Sequence, residues 1–251
     1  MTAPSPAPAS SFAAFGSTHL VSVGVCIAVI AVFVLAGRQA SEHREQRIAQ
    51  AWAILWLVQQ AIATTFWLLP EQFDPSASFP LHLCDVLGWL GPFALLLKRS
   101  PGTRWLRTIL YFWGIGLSTQ AFFTPTLEQG PGDPRFWLFW ISHTQIVGAA
   151  IYDIAVRGYR PTLGDLKVAI LVSLCWALPI VILNWITGLN YGYLGKELDG
   201  TTILNALPPW PWRVFAVMGI VLALFGTIWV VWPLSRLLAG AASAGPGDTA
   251  R

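Results

Sequence analysis

Long apolar stretches separated by short polar connections dominate this 251-residue sequence. A helix that crosses a lipid bilayer needs about 20 mostly apolar residues, and the pattern predicts seven such helices. They cover residues 18–37, 48–69, 80–98, 105–124, 136–156, 166–188 and 211–235. We therefore expect an all-α membrane protein with one seven-helix bundle at residues 18–237. The polar, Pro/Ala/Ser- or Gly-rich ends at residues 1–17 and 238–251 are predicted to be disordered tails.

The composition supports a membrane protein. Hydrophobic residues make up 55% of the chain and charged residues 11%, whereas an ordinary soluble domain has about 25% charged residues. The 14 tryptophans also fit, because tryptophan favours the membrane–water interface. All three cysteines lie in apolar segments, so no disulfide framework is expected. The N-terminus lacks the basic region of a cleaved signal peptide.

The connections between the predicted helices carry very unequal numbers of basic residues. Of the 15 Lys and Arg residues, most flank the first, third and fifth connections or lie in the C-terminal tail: Arg38, Arg44, Arg47, Lys98, Arg99, Arg104, Arg107, Arg157, Arg160, Lys167, Arg236 and Arg251. Only Arg135, Lys196 and Arg213 flank the even connections. Such clusters indicate topology, not nucleic-acid binding, and basic residues concentrate on the cytoplasmic side. We expect a multi-pass protein of the cytoplasmic membrane with its N-terminus outside and its C-terminus in the cytoplasm.

Three chemically reactive side chains lie close together at the start of the third predicted helix. His82, Cys84 and Asp85 occur within an otherwise apolar run, and such groups at membrane depth indicate a functional site because they are costly to desolvate. With the helix entering at about Pro80, Cys84 lies roughly 6 Å along its axis. His143 lies roughly 12 Å along the fifth helix, which enters from the same side.

A cysteine becomes a nucleophile when a neighbouring base favours its thiolate. His82 lies about 200° around the helix from Cys84, so His143 is predicted to be the partner histidine. His82 and Asp85 share a face and are predicted to support the site. The alternatives are a small buried hydrophobe for Cys84 and a structural histidine for His143.

Other polar residues lie near the same ends of the helices. We expect oxyanion-stabilising or substrate-binding roles among Gln120, Thr124, Asn184, Asn190 and Tyr191. Asp153 lies four residues before Arg157 near the other membrane surface, and this spacing predicts a structural ion pair.

A metal site is the competing chemistry. His19, His82, His143 and Asp85 are predicted near one surface, and such ligands suit zinc. However, the sequence has no two-histidine spacing within one helix that is typical of a metal site, so we expect no metal or other cofactor. A retinal-binding receptor is disfavoured because the seventh predicted helix contains no lysine for a Schiff base.

Several sequence runs resemble a known family. FPLHLCD, YFWGIGLSTQAFFTP, FWLFWISHTQ and GLNYGYL, followed by PPWPW, occur in this order across nearly the whole membrane domain. Together they resemble the YwaF-like integral membrane protein family, which is related to the animal transmembrane protein 164. That animal relative is a cysteine-dependent phospholipid acyltransferase that works through an acyl-thioester. The resemblance implies that Cys84 is the nucleophile and His143 its partner, while the residues flanking Cys84 follow the bacterial form of the motif.

Three functional hypotheses follow. The leading one is a membrane-embedded lipid acyltransferase or acyl-lipid hydrolase that acts on membrane phospholipids with Cys84 and His143. The second is a non-enzymatic seven-helix receptor or transporter that binds a small ligand in an outer polar pocket. The third is a metal-dependent intramembrane lipid hydrolase. The pattern leaves the oligomeric state open.

Overall fold

The computed structural model describes residues 12–197 and 203–243, and its regular structure is helical, with no β-strand in these ranges. Each of the seven α-helices of this part of the chain overlaps one predicted segment: α1 Ser17–Arg38, α2 Glu42–Leu68, α3 Leu83–Leu96, α4 Arg104–Ile109, α5 Pro134–Ala155, α6 Leu163–Thr187 and α7 Trp212–Ser243. The all-helical prediction is therefore confirmed for the described residues.

Four of these helices are long and apolar enough to cross a membrane, namely α1, α2, α6 and residues Trp212–Ser235 of α7. Helix α3 is apolar but has only 14 residues. Helix α5 has 22 residues, but its polar side chains keep its hydropathy below that of a simple spanning helix. The helices establish a membrane protein, while the count of seven spans and the orientation in the membrane stay predictions.

The fourth predicted helix is the main difference from the sequence analysis. The prediction of one continuous helix over residues 105–124 is wrong, because α4 passes into a π-helical turn at Leu110–Ile115 and then a 3₁₀ segment at Ser118–Phe122. Two glycines, Gly114 and Gly116, lie at the break, and glycine weakens a regular helix. π-turns of this kind are frequent at functional sites.

We call α4 together with the π and 3₁₀ turns that follow it, up to Phe122, the fourth segment. The core lies between this segment, α2 and α5. Its largest fully buried side chains include Trp56, Phe112, Trp113 and Tyr152. Phe33 of α1 stacks on Tyr152 with ring centroids 4.0 Å apart. Dispersion and area burial in such aromatic clusters hold the helices together at close range.

Buried ion pairs connect the helix ends at one end of the bundle, which we call the basic end. Arg157 pairs with Glu45 at 2.8 Å, and Arg107 pairs with Asp153 at 2.8 Å. The predicted Asp153–Arg157 pair is therefore wrong. Helix α5 ends at Ala155, so Arg157 leaves the helical path that the four-residue spacing assumed. Its guanidinium also donates to the Leu95 carbonyl oxygen at 3.0 Å.

The opposite end, which we call the loop end, contains the connections at residues 69–82, 123–133 and 188–197. Most of the predicted N-terminal tail lies outside the described residues, but Phe12 donates its backbone N–H to the Glu128 carbonyl at 2.9 Å and packs near Trp140. At the other terminus, α7 continues as helix to Ser243, and residues 244–251 of the predicted tail lie outside the described residues.

Candidate functional site

Cys84 lies in the first turn of α3, at the loop end of the bundle. Its Sγ is 3.5 Å from the Oγ of Ser118, and within the described part of the chain the thiol has no other hydrogen-bond partner. Ser118 is buried, whereas Cys84 is only partly buried. The first N–H groups of a helix have no partner inside that helix and favour a nearby negative charge.

His143 lies on α5, and its ring is held by its own helix. Its Nδ1 is 2.8 Å from the carbonyl oxygen of Phe139. Because a carbonyl oxygen only accepts hydrogen bonds, Nδ1 carries the proton and Nε2 keeps its lone pair. A histidine fixed in this tautomer is suited to act as a general base through Nε2.

The fourth segment crosses α5 in the antiparallel sense, and two contacts define how the residues line up. Near the bundle centre, a Cβ added to Gly114 would lie 3.1 Å from Cβ of Ala150 and 3.5 Å from Cγ2 of Ile146. Closer to the loop end, the rings of Phe122 and Trp140 have centroids 6.0 Å apart. Residues between Gly114 and Phe122 therefore lie opposite the stretch of α5 between Ala150 and Trp140.

Ser118 is midway between the two contacts on the fourth segment, and residues 143–145 are midway between them on α5. The alignment consequently places Ser118 near the level of His143. Ser118 contacts Cys84 directly. In the described residues no hydrogen bond joins His143 to Cys84 or to Ser118, so the shared depth of these residues is what relates them.

A second comparison places Cys84 and His143 at the same depth in the bundle. Helices α3 and α5 run in the same direction, and Arg157, just after α5, bonds to the Leu95 carbonyl near the end of α3. At 1.5 Å per residue, Cys84 lies about 16 Å from Leu95, and His143 lies about 18 Å from Ala155. Both residues are therefore at nearly the same distance from the basic end.

Ser118 is the functional candidate that the sequence reasoning missed. The polar run Ser118-Thr119-Gln120 was visible, but a continuous helix drew attention to Gln120 and Thr124. In the structure Gln120 is exposed, and its amide donates to the carbonyl and hydroxyl oxygens of Thr124 at 3.0 and 2.8 Å. The helix break thus separates Gln120 from the buried Ser118.

His82 and Asp85 fix the start of the helix that bears Cys84. His82 is the residue before the first turn of α3, so it does not lie on the helix surface. Its Nδ1 accepts the backbone N–H of Gly192 at 3.3 Å, and its ring lies 5.0 Å from that of Tyr191. The Asp85 carboxylate interacts with the backbone amide of His82. These contacts attach the start of α3 to the loop after α6.

Asn184, Asn190 and Tyr191 organise that same loop. The Asn184 side chain exchanges two hydrogen bonds with the backbone of Tyr191, at 2.8 and 2.9 Å. The side-chain Oδ1 of Asn190 accepts the backbone N–H of Gly195 at 3.0 Å. Burial raises the pKa of Tyr191, so its hydroxyl stays protonated and donates to the Pro75 carbonyl. The structure engages these polar groups in loop contacts, and none of these contacts is made to Cys84.

Buried polar atoms without a hydrogen-bond partner are concentrated on α2 and α5 in the described residues: Trp56 Nε1, both amide atoms of Gln59, Thr64 Oγ1, Trp140 Nε1 and Gln145 Oε1. An unpaired buried polar group costs about 1–3 kcal/mol. Native structures rarely retain several without a reason.

The described residues offer no metal centre, since they contain no group of three or more His, Cys, Asp or Glu side chains placed to bind one ion. Both ring nitrogens of His19 are engaged, one by the Phe15 N–H and one by the Phe122 carbonyl. Two surface cavities of about 410 and 460 Å³ lie at opposite ends of the bundle, and neither is lined by Cys84 or His143.

Comparison with known proteins places the chain in a family. Residues 14–229 match the model of the TMEM164 family. This chain belongs to the TMEM164 family. The matched range includes Cys84, Ser118 and His143, and the match confirms the relation to transmembrane protein 164 that the sequence runs indicated. No curated protein and no solved structure matches the sequence.

Proposed function

We propose that this TMEM164-family protein is a membrane-embedded lipid acyltransferase or acyl-lipid hydrolase with Cys84 as nucleophile and His143 as base. The observation that carries the proposal is the contact between Cys84 Sγ and Ser118 Oγ at 3.5 Å, and helix spacing supports a similar depth for His143. Membership of the TMEM164 family supports it as well. The proposed substrates are membrane phospholipids, and no cofactor is required by this chemistry.

The first half-reaction transfers an acyl group to the enzyme. The Cys84 proton passes through the Ser118 hydroxyl to Nε2 of His143, and the thiolate attacks the carbonyl carbon of a lipid ester. The ester C–O bond breaks, and the leaving glycerol oxygen takes the proton from the imidazolium. The products are a lysolipid and an acyl-thioester on Cys84.

The second half-reaction removes the acyl group from Cys84. His143 accepts a proton from the acceptor hydroxyl, which attacks the thioester carbonyl and releases the thiolate. The imidazolium then returns the proton to sulfur through Ser118. A lysolipid hydroxyl as acceptor gives acyl transfer, and water gives hydrolysis, because the same base serves both nucleophiles.

The charge asymmetry of the connections supports a location in the outer leaflet of the cytoplasmic membrane. The basic end holds Arg38, Arg99 and Arg157 around one cavity, and basic residues favour the cytoplasmic side. Cys84 and His143 lie toward the loop end, which then faces outward. In this orientation the site meets phospholipid ester groups near the outer membrane surface.

The test measures acyl exchange by the purified protein in phospholipid vesicles that contain a labelled acyl chain. The native protein is expected to move or release the label, while Cys84→Ala and His143→Ala lose this activity. Cys175→Ala is the matched control, because Cys175 is exposed and outside the site. Full activity in both Cys84→Ala and His143→Ala would overturn the proposal.

The receptor or transporter hypothesis differs in one measurable respect. It requires reversible ligand binding and no covalent intermediate. The vesicle assay separates the two, since a non-enzymatic protein leaves the acyl composition of the vesicle unchanged.

A further inference from the structure

Gln60 of α2 lies against α3 one helical turn from Cys84. A Cβ added to Gly88 would overlap Oε1 of the Gln60 amide and lie 3.2 Å from its Nε2, so the glycine is what allows this amide to approach α3. Gly88 and Cys84 are four residues apart, and side chains at that spacing on a helix lie about 5–6 Å apart on the same face. The Gln60 amide is therefore next to the first turn of α3, on the face that bears the thiol.

Gln60 is buried, with 4% of its surface exposed, and its side-chain amide has no hydrogen-bond partner within the described residues. It lies next to Gln59 and one turn before Thr64, whose polar atoms are also unpaired. An amide that makes no hydrogen bond within the protein is free to bind a polar group that comes close to Cys84.

We propose that Gln60 donates a hydrogen bond to the oxyanion that forms when the Cys84 thiolate attacks an acyl carbonyl. This inference rests on the proposed function and names a further catalytic residue for it. The carbon–sulfur bond forms as the carbonyl π electrons move to oxygen, and the Gln60 N–H stabilises that charge until the leaving oxygen departs. Loss of one such donor typically reduces the rate about 10²–10³-fold.

Gln59 provides a matched comparison on the same helix. It follows Trp52 by seven residues, and Trp52 contacts Gly148 of α5. Residues seven apart share a helix face, so Gln59 is directed toward α5, whereas Gln60 is directed toward α3. The two side chains are equally long and both are buried. They differ mainly in whether they face the helix of Cys84.

The test compares two reactions of the same thiol in a background with Cys26→Ala and Cys175→Ala, where Cys84 is the only cysteine. Acylation is measured with p-nitrophenyl octanoate, as p-nitrophenolate release and as added mass on Cys84. Alkylation is measured with iodoacetamide, which forms no oxyanion. Gln60→Met is expected to slow acylation at least 50-fold and to change alkylation less than 3-fold. Gln59→Met is expected to leave both rates within 3-fold of the parent.

Gly88→Ala is the second variant, because it displaces the Gln60 amide without removing it, and it is expected to slow acylation in the same selective way. Acylation of Gln60→Met at the parent rate, or equal loss of acylation and alkylation, overturns the role of Gln60 and leaves the proposed function standing. Absence of acylation in the parent protein overturns the proposed function and this inference together.

Discussion

Replacing Ser118 by alanine tests the connection between Cys84 and His143. Ser118 is buried, and the substitution removes the hydroxyl that contacts the thiol at 3.5 Å in the described residues. A neutral hydrogen bond contributes about 0.5–1.5 kcal/mol, which corresponds to about 2- to 12-fold in rate. Ser118 also transfers the proton in the proposed mechanism, and general base catalysis contributes about 10²–10⁴-fold. We therefore expect acyl transfer to fall by about 10- to 100-fold, because water replaces part of the relay.

The assay is the initial rate of acylation of Cys84 by a labelled phospholipid in vesicles, measured for Ser118→Ala and for Thr119→Ala. Thr119 is the matched control, since its hydroxyl donates to the Ile115 carbonyl at 2.6 Å. It is expected to stay within 3-fold of the native rate. An acylation rate in Ser118→Ala equal to that of Thr119→Ala would refute the relay.

Two further predictions concern stability. Arg107→Ala leaves the buried Asp153 carboxylate without its partner, and loss of one member of a buried pair costs about 3–5 kcal/mol. The melting temperature should therefore fall, and adding Asp153→Asn to the same variant should recover part of the lost stability. Gly91→Ala places a methyl group into the Trp56 ring, and overpacking costs about 1–3 kcal/mol. Its melting temperature should fall, whereas Gly24→Ala, which meets no atom within 4 Å, should match the native protein. An unchanged melting temperature in Arg107→Ala or Gly91→Ala would contradict the packing described above.

The sequence was sufficient to find the helices because long apolar runs have few alternatives to a helix in a membrane. It did not reveal the break after Ile109, since π and 3₁₀ turns depend on how Gly114 and its neighbours pack against α5. The predicted Asp153–Arg157 ion pair was wrong for a similar reason. Four-residue spacing predicts a contact only while the helix continues, and α5 ends at Ala155.

The candidate site was predictable only in part. Cys84 and His143 were visible as polar groups in apolar helices and in runs that resemble a known family. Ser118 was not, because a serine in a helix that is assumed to be regular has no distinguishing pattern. Gln60 was missed because its position depends on Gly88 of a different helix. Contacts between helices follow from packing, which one sequence does not encode in any local pattern.

The most direct test of the central claim is the mass of the peptide that contains Cys84 after brief incubation of the native protein with phospholipid and acid quenching. The proposed mechanism predicts one added acyl chain on Cys84, sensitive to neutral hydroxylamine and strongly reduced in His143→Ala. An unmodified Cys84 during active lipid turnover, or acylation found only on Cys26 or Cys175, would contradict it.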